Sequence, residues 1–116
     1  MSGNEAIKVE NVTQENVYSK IEELIKTNSM LIFMKGTPSL PMCGFSARVI
    51  EILKLVGAKF GAVNVLEDML VREGIKKYSN WPTIPQIYHN GDFIGGCDIL
   101  MDMYESGELN DLLTKE

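Results

Sequence analysis

Thiols, imidazoles and positive charge are all scarce in this chain. Its 116 residues include two cysteines, Cys43 and Cys97, and one histidine, His89. Cysteines so few and far apart do not form a disulfide scaffold, and with one histidine they leave no structural zinc set within a single chain. The position three after Cys43 is Ser46, so there is no Cys-x-x-Cys and no redox cycle through such a pair. Acidic residues outnumber basic ones by 16 to 11, a formal charge of −5. That balance argues against nucleic acid or an anionic membrane as partner, because both need a basic surface. No apolar run approaches the ~20 residues of a membrane span. The first ten residues have neither a secretory apolar core nor an arginine-rich organellar pattern, so the protein acts where it is made or has had a targeting segment removed. There are no repeats or low-complexity tracts. A reducing compartment suits two free thiols.

What is present is enough for one hydrophobic core, with 45% hydrophobic and 23% charged residues. Residues 1–12 read as a flexible arm ahead of a domain over 13–116. Thr13 is placed to cap a helix, with Val12 and Val17 as a hydrophobic staple. Val17, Ile21, Leu24 and Ile25 continue that helix to about Thr27. Met30–Met34 is apolar without alternation, as in a strand buried on both faces. A proline loop follows, then Phe45, Val49, Ile52, Leu53 and Val56 mark a second helix closed by Gly57. Lys59–Val65 reads as a strand parallel to the first. Asp68 caps a third helix with Val71, Ile75 and Tyr78 on its core face. Pro85–His89 and Phe93–Gly95 flank Asn90-Gly91, the strongest short hairpin signal. A fourth helix from Asp98 to about Ser106 ends at Gly107, with a short helical turn beyond. The pattern predicts an α/β domain, one mixed sheet sandwiched by helices.

Several residues carry candidate chemistry. Cys43 stands at a loop-to-helix junction between Pro41 and Gly44, where unpaired N–H groups and the helix dipole favour a thiolate. It reads as a ligand or nucleophile, against the alternative of a buried structural cysteine. Lys35 is either a solvated strand-end lysine or a fixed cation beside that thiolate. Arg72 and Lys76 share a helical face, where an anion between them would relieve their repulsion; Glu73 and Lys77 suggest a surface ion pair beside them. Thr83-Ile84-Pro85 contains a candidate cis peptide, which would turn the Ile84 backbone outward toward an extended peptide. Gly95-Gly96-Cys97-Asp98 opens the last long helix. Asp98 is its expected N-cap, and its carboxylate could also pair with a ligand ammonium. The glycines let a ligand approach the backbone. Cys97 reads as packing or as a second thiol. His89 reads as a turn-flanking residue, and the seven methionines as core filler.

Taken together, Cys43-Gly44-Phe45-Ser46, Met34-Lys35-Gly36, Tyr78 to Gln86 and Gly95 to Ile99 resemble the motifs of the CGFS monothiol glutaredoxins, over roughly residues 13–115. Cys97 before Asp98 is similar to the single-domain mitochondrial or bacterial type. The resemblance implies a thioredoxin-like fold with a four-stranded mixed sheet and Pro85 in cis. It implies a glutathione site in which Lys35, Arg72 and Lys76 hold the glycyl carboxylate. Ile84, flanked by Thr83 and Pro85, would pair with the cysteinyl backbone, and Gly96, Cys97 and Asp98 would receive the γ-glutamyl end. It implies a [2Fe–2S] cluster shared by two protomers, each giving Cys43 and one glutathione thiolate, in a dimer that is monomeric without the cluster. The implied role is cluster delivery to apo-proteins, with the mitochondrial matrix as compartment and the cytoplasm as alternative. The alternative activity is glutathione-dependent reduction of mixed disulfides through Cys43.

Overall fold

The computed structural model describes residues 5–114. The chain alternates helices α1 (Val17–Thr27), α2 (Gly44–Leu55), α3 (Met69–Ser79), α4 (Cys97–Ser106) and α5 (Glu108–Thr114) with strands β1 (Met30–Met34), β2 (Gly36–Thr37), β3 (Leu40–Pro41), β4 (Gly61–Asn64), β5 (Gln86–His89) and β6 (Asp92–Gly95). Four strands form a mixed sheet in the order β4-β1-β5-β6. β1 runs parallel to β4, through the α2 crossover, and antiparallel to β5. This is the predicted α/β, thioredoxin-like arrangement with its four-stranded sheet.

The uninterrupted apolar run of β1 has the expected cause, because helices cover both faces of the sheet. Met30, Ile32 and Met34 pack with α2, α4 and α5, while Leu31 and Phe33 face α1 and α3. All five are at most 2% exposed. Truncating a buried large side chain such as Leu53 in the first layer or Ile75 in the second costs about 2–5 kcal/mol, so neither layer is dispensable.

Local signals set most element ends. Gly57, at φ +71°, closes α2: its N–H donates to Lys54 O, and Ala58 N–H donates to Leu53 O. Asn80, at φ +56°, does the same for α3, with Trp81 N–H donating to Lys76 O. Asp68 Oδ1 accepts from Leu70 and Val71 N–H, as expected of an N-cap. Asn90 and Gly91 both have positive φ, the requirement of the tight hairpin turn between β5 and β6.

Four expectations are corrected. Regular helix starts at Val17 with Asn16 as its N-cap residue; Thr13 instead opens a preceding turn, trading bonds with Asn16 at 2.7 and 3.1 Å. The second strand covers only Gly61–Asn64, and Val65 enters a 3-10 turn. Tyr78 is 38% exposed and meets Tyr18 in a tilted ring contact, while Gly74 takes the buried place on α3 against Val17. Phe45 is 63% exposed while Ser46, beside it in the first turn of α2, is fully buried, so Phe45 faces away from the core there. Among the described residues, the N-terminal arm lies along β4: Ile7 N–H donates to Ala62 O, and Ile7, Val9 and Val12 pack on the α1/α3 layer. No helix among the described residues is long and apolar enough to cross a membrane.

Candidate functional site around Cys43

The loop after β1 is a built device. Gly36, at φ +91°, turns the chain, and its N–H donates to Asn64 Oδ1 at 2.9 Å. The two-residue strands β2 and β3 pair across the loop, and Met42 N–H returns to Lys35 O at 2.9 Å. A Cβ on Gly36 would lie 2.5 Å from Leu40 O and 2.6 Å from Met42 N, both backbone atoms, so only glycine fits. This closed ribbon delivers Cys43 to the head of α2.

Cys43 occupies the N-cap position of α2 in extended conformation and is partly exposed. There its sulfur meets the N–H groups left unpaired in the first helical turn. The Ser46 backbone N–H is the largest influence on its thiol, which lies below the usual range. The Phe45 N–H, the Lys35 ammonium and the Ser46 hydroxyl act in the same direction, and partial burial opposes them. Ser46 is fully buried and accepts from Lys35 N–H at 3.1 Å. The residue in place of a second cysteine therefore ties the end of β1 to the start of α2.

Across the cleft, α3 contributes Arg72 and Lys76. Lys76 Nζ lies 3.5 Å from Glu73 Oε2, so Glu73 pairs with Lys76 and not, as the sequence suggested, with Lys77. Arg72 Nε is buried with no hydrogen-bond partner, as is Trp81 Nε1. The segment Trp81–Pro85 forms the next wall, and the Ile84–Pro85 bond is cis, as expected. A bulge shifts the β5–β6 register between Ile87 and Tyr88, just before Gly95 and Gly96 carry the chain into α4. Gly96, and not Asp98, is the N-cap residue of α4; Asp98 sits in the first turn. The glycine already supplies the turn into the helix, which leaves the Asp98 carboxylate at the cleft.

Cys97 is only 7% exposed, with its Sγ 3.9 Å from Met101 Sδ. Burial, foremost, and the neighbouring Asp98 charge push its thiol up; the Cys43 charge adds to this and Arg48 opposes it.

One cleft of about 640 Å³ brings together Lys35, Cys43, Arg72, Lys76, Thr83, Ile84, Pro85, Gly96, Cys97 and Asp98, every residue that the sequence offered as a site candidate. Phe45, Trp81, Pro82 and Ile99 line it as well. These four were missed as site residues because an apolar side chain beside a motif carries the same signal as one in the core. A cationic end, an acidic end at a helix start and a single activated thiol suit an extended, zwitterionic ligand that carries sulfur.

The glutaredoxin family model matches residues 30–94, from the first residue of β1 into β6. Glutaredoxin-related protein 5, mitochondrial, of Danio rerio is 53% identical over 96 residues, 82% of this chain and 62% of that protein. The chain thus spans less than two thirds of that relative's length. A ycf64-like monothiol glutaredoxin of Synechocystis sp. is 50% identical over 95 residues, 82% of this chain and 89% of its own. The chain belongs to the monothiol glutaredoxins. The glutaredoxin fold agrees with this. The solution structure of reduced poplar apo GrxS14 superposes with a TM-score of 0.74 at 45% identity, covering 85% of this chain and 91% of that one. A monomeric truncated mutant of Trypanosoma brucei 1-C-Grx1 gives 0.79 at 36% identity, covering 90% and 92%. The family match includes the Cys43 loop and cis-Pro85 but stops short of Cys97 and Asp98, so one side of this glutaredoxin's cleft comes from outside the matched segment.

Proposed function

We propose that this monothiol glutaredoxin binds glutathione in the cleft and, with Cys43, holds a [2Fe–2S] cluster between two protomers for delivery to apo-proteins. The observation that carries the reading is a single accessible, acidified thiol with no second thiol at the next helical turn, set between a cationic and an acidic end of one cleft. Glutathione has two carboxylates, an ammonium and a thiol. The buried, unpartnered Nε of Arg72 calls for an acceptor, and a glycyl carboxylate beside Lys35 and Lys76 supplies it. The Lys76–Glu73 pair is a surface contact worth about 1 kcal/mol or less, so it does not prevent this. Ile84, between Thr83 and Pro85, offers an extended edge to the cysteinyl residue. The start of α4 at Gly96 and Cys97 suits the γ-glutamyl carboxylate, and Asp98 its ammonium.

A [2Fe–2S] cluster needs four ligands, usually thiolates. Among the described residues no three His, Cys, Asp or Glu side chains gather to hold a metal. Cys43 gives one ligand per protomer, and bound glutathione would supply the second thiolate. Two protomers then complete the set, and the small-molecule half keeps the cluster easy to pass on. Anaerobic reconstitution with iron, sulfide and glutathione, read by visible absorption and native mass, should give a coloured dimer. Omitting glutathione should leave a colourless monomer. A chromophore on a monomer without glutathione would overturn the reading.

The acidified Cys43 thiol also suits a nucleophile, which supports a second activity. Its thiolate would attack the glutathione sulfur of a protein mixed disulfide, releasing the protein thiol, and a second glutathione would then reduce the Cys43 adduct to give glutathione disulfide. Turnover of a glutathionylated peptide under excess glutathione tests it. The proposed compartment is the mitochondrial matrix, supported by the Danio rerio relative. The bacterial relatives, such as glutaredoxin 4 of Buchnera aphidicola at 48% identity, support the cytoplasm as alternative.

A further inference from the structure

Gln86, the first residue of β5, is 0% exposed although it carries an amide. An amide in that position must find partners inside the protein. Its Nε2 donates to Trp81 O at 3.0 Å and to Thr83 O at 3.2 Å, and its Oε1 accepts from the Tyr88 hydroxyl at 3.3 Å. Two carbonyl oxygens on one side and a hydroxyl on the other fix which end is nitrogen. Burial pushes the Tyr88 phenol up to about 12, which keeps it a donor at working pH. The segment that receives these bonds holds two prolines, Pro82 and Pro85, and therefore cannot donate a regular ladder. Trp81 N–H is already bound to Ser79 Oγ and Lys76 O, both at 3.1 Å, so the Gln86 fork pins the other end of the same peptide group run. All five residues of Trp81–Pro85 line the cleft.

We propose that Gln86 is a positioning residue for the ligand cleft: its amide, oriented by Tyr88, holds the Trp81 and Thr83 carbonyls and so presents the Trp81–Ile84 wall preformed to the ligand. The identity of the ligand rests on the glutathione reading; the clamp itself does not. A wall left free must be ordered at the moment of binding, and that ordering weakens affinity. Gln86→Met keeps the length of the side chain and removes both donors.

The full chain is used throughout, with glutathione binding followed by calorimetry, Ile84 amide exchange by NMR, and the emission of Trp81, the only tryptophan. Gln86→Met should lower glutathione affinity roughly tenfold, speed Ile84 exchange and shift Trp81 emission. Tyr88→Phe, which removes only the orienting hydroxyl, should do the same to a smaller degree and guards against a Gln86→Met chain that does not fold. Leu109→Ala, a cavity in the opposite layer, should lower stability without changing affinity by more than about twofold. Unchanged affinity and exchange in both clamp variants, or an equal loss in Leu109→Ala, would overturn the proposal. If the unaltered chain binds no glutathione, the functional reading fails, and Ile84 exchange with Trp81 emission still decides for or against the clamp.

Discussion

Cys43 and Cys97 stand at the starts of two helices, α2 and α4, and line the same cleft, yet their thiols shift in opposite directions. The dipole of a helix favours a thiolate in both places. What differs is everything else. Cys43 is an N-cap residue, open to solvent, with the Ser46 and Phe45 N–H groups at its sulfur and Lys35 nearby. Cys97 lies one position further in, covered, packed on Met101 and next to Asp98. Desolvation and one adjacent carboxylate outweigh the helix. A cysteine at a helix start is therefore reactive only when the sulfur can reach the free N–H groups and remain wet.

The largest consequence of this contrast falls on the proposed cluster. Cys43→Ser should abolish the reconstituted chromophore with the fold intact, whereas Cys97→Ser should retain it; visible absorption and circular dichroism check both. Loss in the Cys97 variant would erase the distinction between the thiols. Next in size is alkylation. At neutral pH iodoacetamide should modify Cys43 on the order of tenfold faster than Cys97. The sign follows from the shifts: a lowered thiol pKa keeps Cys43 ionised as pH falls below the ordinary thiol range, and a raised one delays Cys97 until pH exceeds it. Rate–pH profiles by peptide mass spectrometry should show two midpoints, Cys43 below Cys97, and a common midpoint would break the comparison.

Smaller effects sharpen it. Asp98→Asn removes the nearest charge that opposes the Cys97 thiolate, so the Cys97 midpoint should fall by a few tenths of a unit up to about one, with Cys43 unchanged. Lys35→Met should raise the Cys43 midpoint by less, because the ammonium ranks behind the helix N–H groups. Part of that difference should disappear in high salt, as expected for a charge in contact with solvent.

Much of this was legible in the sequence, and the exceptions share a physical cause. The apolar run of β1, the Asn90-Gly91 turn and the Asp68 cap are local signals, and local sequence determines them. Ser46 looked like a missing thiol, since its bond to Lys35 N–H spans eleven positions that no periodicity encodes. The β2–β3 ribbon was invisible because two-residue strands carry no pattern. Asp98 was misplaced as an N-cap because the preceding glycine could take the extended conformation itself. Phe45 falls on the apolar stripe of α2 by spacing and so reads as core, but helical phase does not say whether anything covers that position. The candidates that line the cleft were legible because each carried polar or conformational chemistry; the apolar lining that shapes the cleft carried none.

The arm along β4 bears on solubility. β4 is an outer strand of the sheet, and the backbone of an outer strand is a template on which another chain can add. Ile7 occupies one of those pairing positions, and Val9 and Val12 cover the apolar surface beside it. Residues 7–12 thus act as a border strip against strand-to-strand association at this edge of the sheet.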